Sequence, residues 1–227
     1  MTRFILVPGA WLGSWVWKRV VLLLESRGHH AYPITLTGMG DRVHLATKEV
    51  GIDTAVLDVV NTIEFEDLTD VVLVGHSFAG KVVAAVADRA PENVRMILYV
   101  DAFRPRTVRT PQGDFGDEWK HLKDWKVPLT EEILDAIGGD VNHSDREWLM
   151  SKATAWPRRH ATDSIILSEK FDNVRKAYIL CTGGGDDVQR IINEKLDGPF
   201  RVIESGHWPM VTKPEELVED MLSLVAH

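Results

Sequence analysis

The sequence predicts an α/β protein built on a mostly parallel sheet flanked by helices, with a small helical insertion. Three observations carry that reading. Short β-branched and apolar runs alternate with amphipathic stretches of helical spacing along most of the chain. That alternation is the pattern of a parallel sheet covered on both faces. The 227 residues, 44% hydrophobic and 26% charged, suit one globular domain, residues 1–227, with a core of its own. Over residues 104–172 the rhythm breaks. Strand-like runs vanish, charge rises, and Trp119, Trp125, Trp148 and Trp156 appear.

The elements follow in order. Arg3 to Val7 reads as a buried strand, followed by the loop Pro8-Gly9-Ala10-Trp11-Leu12-Gly13. Ser14 is placed to cap the next helix, whose stripe Trp17, Val20, Val21, Leu24 has helical spacing and ends at Gly28. Ala31 to Ile34 is a second strand, Leu36 to Gly51 a loop rich in glycine and charge, and Thr54 to Phe65 an amphipathic helix. Strands are expected at Val71 to Val74, Met96 to Val100, Ala177 to Cys181 and Arg201 to Ile203. Helices are expected at Lys81 to Ala90, Glu131 to Ile137, Asp145 to Ser151 and Val188 to Lys195. Pro214, suited to a first helical turn, opens a last helix through Leu224. Between two sheet strands, the 104–172 insertion would roof the carboxyl ends of the strands, where ligands bind in such sheets. Most of its tryptophans are expected to pack the insertion together, with one or two lining a pocket.

Bulk properties narrow the function. A net charge of −8 argues against nucleic acid, which needs a basic face. No apolar run approaches a membrane span, and the N-terminus enters a strand without a basic-then-apolar leader. A single cysteine, Cys181, excludes an internal disulfide and suits a reducing, cytoplasmic compartment. Within a buried strand it reads as a small packed hydrophobe rather than a nucleophile.

Val71-Val72-Leu73-Val74-Gly75-His76-Ser77-Phe78-Ala79-Gly80 is the most informative segment. An apolar strand delivers Ser77 onto a turn flanked by small residues, and a helix follows at once. This is the context of a nucleophile elbow. The sharp turn demands small neighbours, met by Gly75, Ala79 and Gly80. The competing reading is an ordinary Gly-Ser turn in a βα unit. A serine hydroxyl needs a base to take its proton. His207 qualifies, in Ser205-Gly206-His207-Trp208-Pro209 between the strand Arg201 to Ile203 and the last helix. His76 is expected to point away as a structural residue. His29, His30 and His227 read as surface residues. His44, His121, His143 and His160 fall in loops or the insertion without a supporting context. No His-Glu-x-x-His and no cysteine pair marks a metal site.

Leu6-Val7-Pro8-Gly9-Ala10-Trp11, Gly75-His76-Ser77-Phe78-Ala79-Gly80 and Ser205-Gly206-His207, in that order, resemble the α/β-hydrolase superfamily. The nearest branch is that of the small esterases related to plant methyl esterases and hydroxynitrile lyases, with their bacterial relatives. Leu36-Thr37-Gly38-Met39-Gly40-Asp41-Arg42, Tyr99-Val100-Asp101-Ala102-Phe103-Arg104-Pro105 and Tyr178-Ile179-Leu180-Cys181-Thr182 resemble the same branch. The likeness implies an α/β-hydrolase fold, Ser77 as nucleophile and His207 as base. It implies an oxyanion hole from the backbone N–H groups of Ala10 and Phe78. Trp11 and Leu12 fall at positions lining the pocket mouth, and Trp208 is a further candidate for touching substrate.

Four departures from the branch are informative. Pro8 stands where the family often has histidine. Gly183-Gly184 follows Cys181-Thr182, where the plant pattern has an acidic pair. Asp101 ends a strand where that pattern has alanine. Trp208 stands where the best-known lyases have lysine. A carboxylate gained at one strand end and lost at the neighbouring one suggests a relocated acid, so Asp101 ranks ahead of Asp186 and Asp187. The structural alternatives are a loop cap for Asp101 and a helix N-cap for Asp186 and Asp187. The expected activity is a serine carboxylic-ester hydrolase without cofactor. Its substrate is a small ester with an apolar or aromatic part, given Trp11, Leu12, Phe78, Trp208 and the tryptophan-bearing insertion. A homodimer is an open oligomeric state. Cyanohydrin carbon–carbon lyase activity and a hydrolase-like binding protein are the alternatives.

Overall fold

The computed structural model describes residues 1–105, 123–183, 188 and 196–226. Strands are β1 (Arg3–Val7), β2 (His30–Pro33), β3 (Val71–His76), β4 (Val94–Val100), β5 (Lys126–Val127), β6 (Trp156–Pro157), β7 (Lys176–Gly183) and β8 (Phe200–Gly206). Helices are α1 (Lys18–Ser26), α2 (Ile52–Phe65), α3 (Ala79–Arg89), α4 (Glu131–Ile137), α5 (His143–Lys152), α6 (Arg159–Thr162), α7 (Pro209–Thr212) and α8 (Pro214–Ala226). The expected helix Val188 to Lys195, Trp119, His121 and His227 lie wholly or mainly outside the described residues.

Among the described residues, one sheet runs β2-β1-β3-β4-β7-β8, parallel throughout. Its apolar runs are buried on both faces by the strand period of two. Ile5, Val7, Leu73, Ile97, Tyr99 and Leu180 meet α2 and α3 on one face. Phe4, Leu6, Val72, Val74, Leu98 and Ile179 meet α1 and α8 on the other. Each such aliphatic side chain contributes roughly 1.5–3 kcal/mol by leaving water. This is the architecture that the α/β-hydrolase resemblance implies.

The strand order places the site. The chain leaves β1 for β2 on one side, then returns past β1 to β3 on the other. α1 packs with α8 on one face while α2 packs with α3 on the opposite face. Connections leaving β1 and β3 therefore diverge, and in sheets of this kind ligands bind at the carboxyl ends of such strands. Register brings Val7 beside Gly75 and His76 beside Val100, and further along the sheet Gly183 beside Gly206. The residues following β3, β4 and β8 thus gather at one edge.

Two expectations need correction. Residues 104–172 are not free of strands, because β5 and β6 pair antiparallel, Lys126 with Pro157 and Val127 with Trp156. Two-residue strands are too short to leave a period in the sequence. Ser14 does not cap α1. It opens a 3-10 turn, Ser14–Trp17, without a side-chain cap, and its N–H donates to Thr35 Oγ1 at 2.9 Å. The expected helix Glu131 to Ile137 is α4, capped by Thr130 Oγ1 accepting from Ile133 N. The expected helix Asp145 to Ser151 lies within α5, capped by Asn142 Oδ1 accepting from Asp145 N at 2.9 Å.

Candidate active site

Ser77 sits between β3 and α3 with φ +57°, in the left-handed region that a side chain normally avoids. Small neighbours make that turn feasible. A Cβ on Gly75 would lie 2.7 Å from Val83 Cγ2 and 2.9 Å from the Ala79 carbonyl oxygen. One on Gly80 would lie 2.0 Å from the Phe103 carbonyl oxygen. Ala79 carries its methyl group into the core without such a conflict. Ser77 is partly exposed although His76 and Phe78 are both buried. The Ser77 carbonyl accepts from Phe103 N at 2.9 Å and Gly80 N at 3.1 Å, which ties the elbow to the segment after β4.

Asp101 ends β4, also left-handed, with φ +43°. Its N–H donates to the Ile179 carbonyl at 2.8 Å, and its Oδ1 accepts from Cys181 N at 3.2 Å. The other oxygen, Oδ2, lies 2.5 Å from His207 Nδ1. Asp101 therefore reaches over the end of β7, the strand between its own and the histidine's. Burial first, then Asp101, pushes the Cys181 thiol far up, so it stays protonated as a packed hydrophobe. Asp186, Asp187 and Gly184 lie outside the described residues.

His207 follows β8 and is held by its backbone from two directions. Its N–H donates to the Ile137 carbonyl at 2.9 Å, and its carbonyl accepts from His76 Nε2 at 2.7 Å. That contact makes Nε2 the protonated nitrogen of His76. Burial, then the charge of His207, holds His76 well below the ordinary histidine range. His76 is fully buried, with its Nδ1 facing Gly9, where a Cβ would come within 2.6 Å. The same Cβ would lie 2.9 Å from Ser77 Cβ, so only glycine lets the loop after β1 press against the serine. Ala10 follows in that loop. Among the described residues, neither the Ala10 nor the Phe78 N–H is paired with a protein acceptor.

Trp11 completes the loop at φ +67°. Its indole N–H donates to the Val127 carbonyl and its own carbonyl accepts from Thr154 N, both at 2.9 Å. Its ring meets Trp156 edge-on at 5.9 Å, and Trp156 lies 4.9 Å from Phe78. Among the described residues Trp156 is thus an insertion tryptophan beside the elbow, whereas Trp148 packs on Trp15. Leu12 and Trp208 are 0% and 1% exposed, in the core layer with Trp17 and Leu134. The Trp208 ring meets the His207 ring edge-on at 5.9 Å.

Two residues gain a context that their sequence neighbourhood does not signal. His160 is fully buried, stacked on Phe78 at 5.6 Å and 8°, and among the described residues neither ring nitrogen has a hydrogen-bond partner. Asp140 Oδ1 accepts from Gly206 N at 2.8 Å. The only available signal for Asp140 is the turn sequence Gly138-Gly139-Asp140. Among the described residues, no group of three or more His, Cys, Asp or Glu is arranged to hold a metal ion. No helix among them is long and apolar enough to cross a membrane.

Chemically, a carboxylate on Nδ1 of an imidazole leaves Nε2 free to accept a proton. Known proteins resemble this chain in sequence and in fold. A carbendazim-hydrolysing esterase of Nocardioides sp. is 31% identical over 252 residues, covering 99% of this chain and all of that one. An α-hydroxynitrile lyase of Arabidopsis thaliana is 30% identical over 260 residues, covering 99% and 96%. The crystal structure of an Arabidopsis methylesterase superposes with a TM-score of 0.84 at 21% identity, covering 100% of this chain and 99% of that one. The model of the alpha/beta hydrolase family matches residues 4–220, and with that span the chain belongs to the alpha/beta hydrolase family.

Proposed function

We propose that the protein is a serine carboxylic-ester hydrolase acting on a small ester with an apolar or aromatic part. The Asp101–His207 contact at 2.5 Å carries this reading. Ser77 Oγ attacks the ester carbonyl carbon while His207 Nε2 takes the hydroxyl proton. The tetrahedral oxyanion binds the N–H groups of Ala10 and Phe78. As the intermediate collapses, His207 returns the proton to the departing alkoxide and an acyl-Ser77 remains. Water then repeats the sequence, with His207 again as base, and releases the acid and free Ser77. Asp101 keeps the imidazole in the tautomer with its proton on Nδ1 and offsets the positive charge it gains. Each oxyanion donor supplies about 2.7–4 kcal/mol of barrier lowering.

Backbone strain supports the same assignment. Trp11, Ser77 and Asp101, three of the five non-glycine residues with left-handed backbone among those described, follow the adjacent strands β1, β3 and β4, and the other two, Asp67 and Asp70, precede β3. Such residues cost of order 1–3 kcal/mol each and concentrate at active sites. The esterase names of the relatives support ester cleavage, and Trp11, Phe78 and Trp156 supply an apolar wall. Residues 123–172, the main described part of the 104–172 insertion, serve as a cap on a single domain. The lone buried Cys181 suits the cytoplasm, and a homodimer is compatible with this reading.

The lyase relative motivates a second reading, carbon–carbon cleavage of a cyanohydrin by the same serine and histidine. Trp208, standing where the best-known lyases have lysine, argues against that group's chemistry, while a related lyase group lacks the lysine and is separated by assay. Chromogenic esters of graded acyl length, methyl esters of aromatic acids, carbendazim and mandelonitrile form the deciding panel. Ester turnover lost in Ser77→Ala supports hydrolysis. Cyanide release without ester turnover overturns it in favour of the lyase.

A further inference from the structure

The histidine loop does not stand alone. Its backbone rests on the turn that follows α4, within the insertion. His207 N–H donates to the Ile137 carbonyl at 2.9 Å, and Gly206 N–H donates to Asp140 Oδ1 at 2.8 Å. Glycines make this approach close. A Cβ on Gly206 would lie 2.6 Å from Asp140 Oδ1, and one on Gly138 would lie 2.8 Å from the Trp208 ring. The next segments are joined as well, because the Arg19 guanidinium pairs with Asp145 of α5 and donates to the Val211 carbonyl of α7.

We infer that Asp140 is a positioning residue for His207. Its carboxylate fixes the peptide preceding the imidazole, so that the ring stays on Asp101. This rests on the proposed serine-hydrolase reading and extends it by giving the insertion a part in aiming the base. Gly206 is free to rotate about its own φ and ψ, and rotation there swings the His207 ring by ångströms. The charge-assisted bond on the Gly206 N–H fixes the peptide before this glycine and the His207 N–H bond to the Ile137 carbonyl fixes the peptide after it, so that the two together hold Gly206 φ and ψ. Misplacing a reacting group by about 1 Å is costly, on the order of a hundredfold in unfavourable cases. The contact transmits no proton and touches no substrate, so its loss acts on turnover and leaves substrate binding alone.

The test compares Asp140→Ala, Asp140→Asn and Asp140→Glu with wild type, in the full chain. p-Nitrophenyl acetate turnover, the rate of fluorophosphonate labelling at Ser77 and the thermal midpoint are measured for each. Asp140→Ala removes the acceptor and is expected to lower kcat and the labelling rate by roughly three- to tenfold, with KM within about twofold. Asp140→Asn keeps an oxygen acceptor and restores most of both. Asp140→Glu keeps the charge, displaces the carboxylate and stays low. A structural role alone would follow the thermal midpoint and would not be rescued by asparagine. Should Asp140→Ala fail to fold, the contrast between the asparagine and glutamate variants still decides. Wild-type labelling with unchanged kcat in Asp140→Ala, or asparagine no better than glutamate, overturns this inference alone. A wild-type protein that neither labels nor cleaves ester overturns the hydrolase reading with it.

Discussion

Asp101 and His207 lie 106 residues apart in the chain, yet the carboxylate Oδ2 and the imidazole Nδ1 meet at 2.5 Å. β7 separates their strands, so the contact spans two strand spacings, roughly 9–10 Å of sheet. Left-handed backbone at Asp101 turns its side chain back over the end of β7, and the Cys181 N–H holds one oxygen there. The other oxygen is then free to face the imidazole.

Replacing Asp101 by asparagine should retain the Cys181 N–H contact and hence the fold. Turnover is expected to fall by up to about four orders of magnitude, because the amide favours the wrong imidazole tautomer. Steady-state kinetics with a chromogenic ester, with circular dichroism as the fold control, checks this. Unchanged turnover, together with a large loss in Asp186→Asn or Asp187→Asn, would move the acid to that pair.

Ser77→Ala should leave the thermal midpoint close to wild type and reduce ester hydrolysis by about three orders of magnitude or more. A serine-directed phosphonate should add to Ser77 alone, as read by peptide mass spectrometry. Labelling at another serine would remove the elbow from the mechanism.

Elbow packing sets a contrast between adjacent positions. Gly80→Ala brings a methyl group to 2.0 Å from the Phe103 carbonyl oxygen. The expected cost is about 1–3 kcal/mol or more in chemical denaturation. Ala79→Gly opens no such conflict and should cost about 1 kcal/mol, the helical penalty of glycine. Equal destabilisation by the two substitutions would contradict the packing argument.

Acid stability should carry the mark of His160. Burial, then the Lys81 ammonium, draws this histidine down to about 3. Between about pH 6.5 and 3 the unfolded chain binds a proton at this site that the native protein refuses. Stability therefore falls as pH falls through that window and is fully present above it. One such group lowers stability by about 2 kcal/mol between pH 7 and pH 5. His76, also held down by burial, acts in the same direction. His160→Phe keeps a ring against Phe78 and should flatten the pH dependence by that amount in urea titrations. An unaltered slope would show that His160 is protonated in the native state.

Much of this molecule is legible in its sequence, for local reasons. Apolar runs of strand length and amphipathic runs of helical period depend only on near neighbours, so the alternating α/β order is readable by inspection. Gly75, Ser77 and Gly80 announce a sharp turn, because only small residues fit beside it. Ser77 and His207 emerge as candidates because each follows a strand run, and Asp101 because the family resemblance shows a carboxylate gained at one strand end and lost at the neighbouring one. What the linear chain cannot express is which strand ends lie side by side. The order β2-β1-β3-β4-β7-β8 decides that Asp101 faces His207, and it sets the Ala10 loop against Ser77. Strand adjacency is a property of the whole sheet, settled by how the helices on both faces bury their apolar stripes. The same holds for Asp140 beside Gly206 and His160 beneath Phe78. These pairs are remote in sequence, and only packing brings them together.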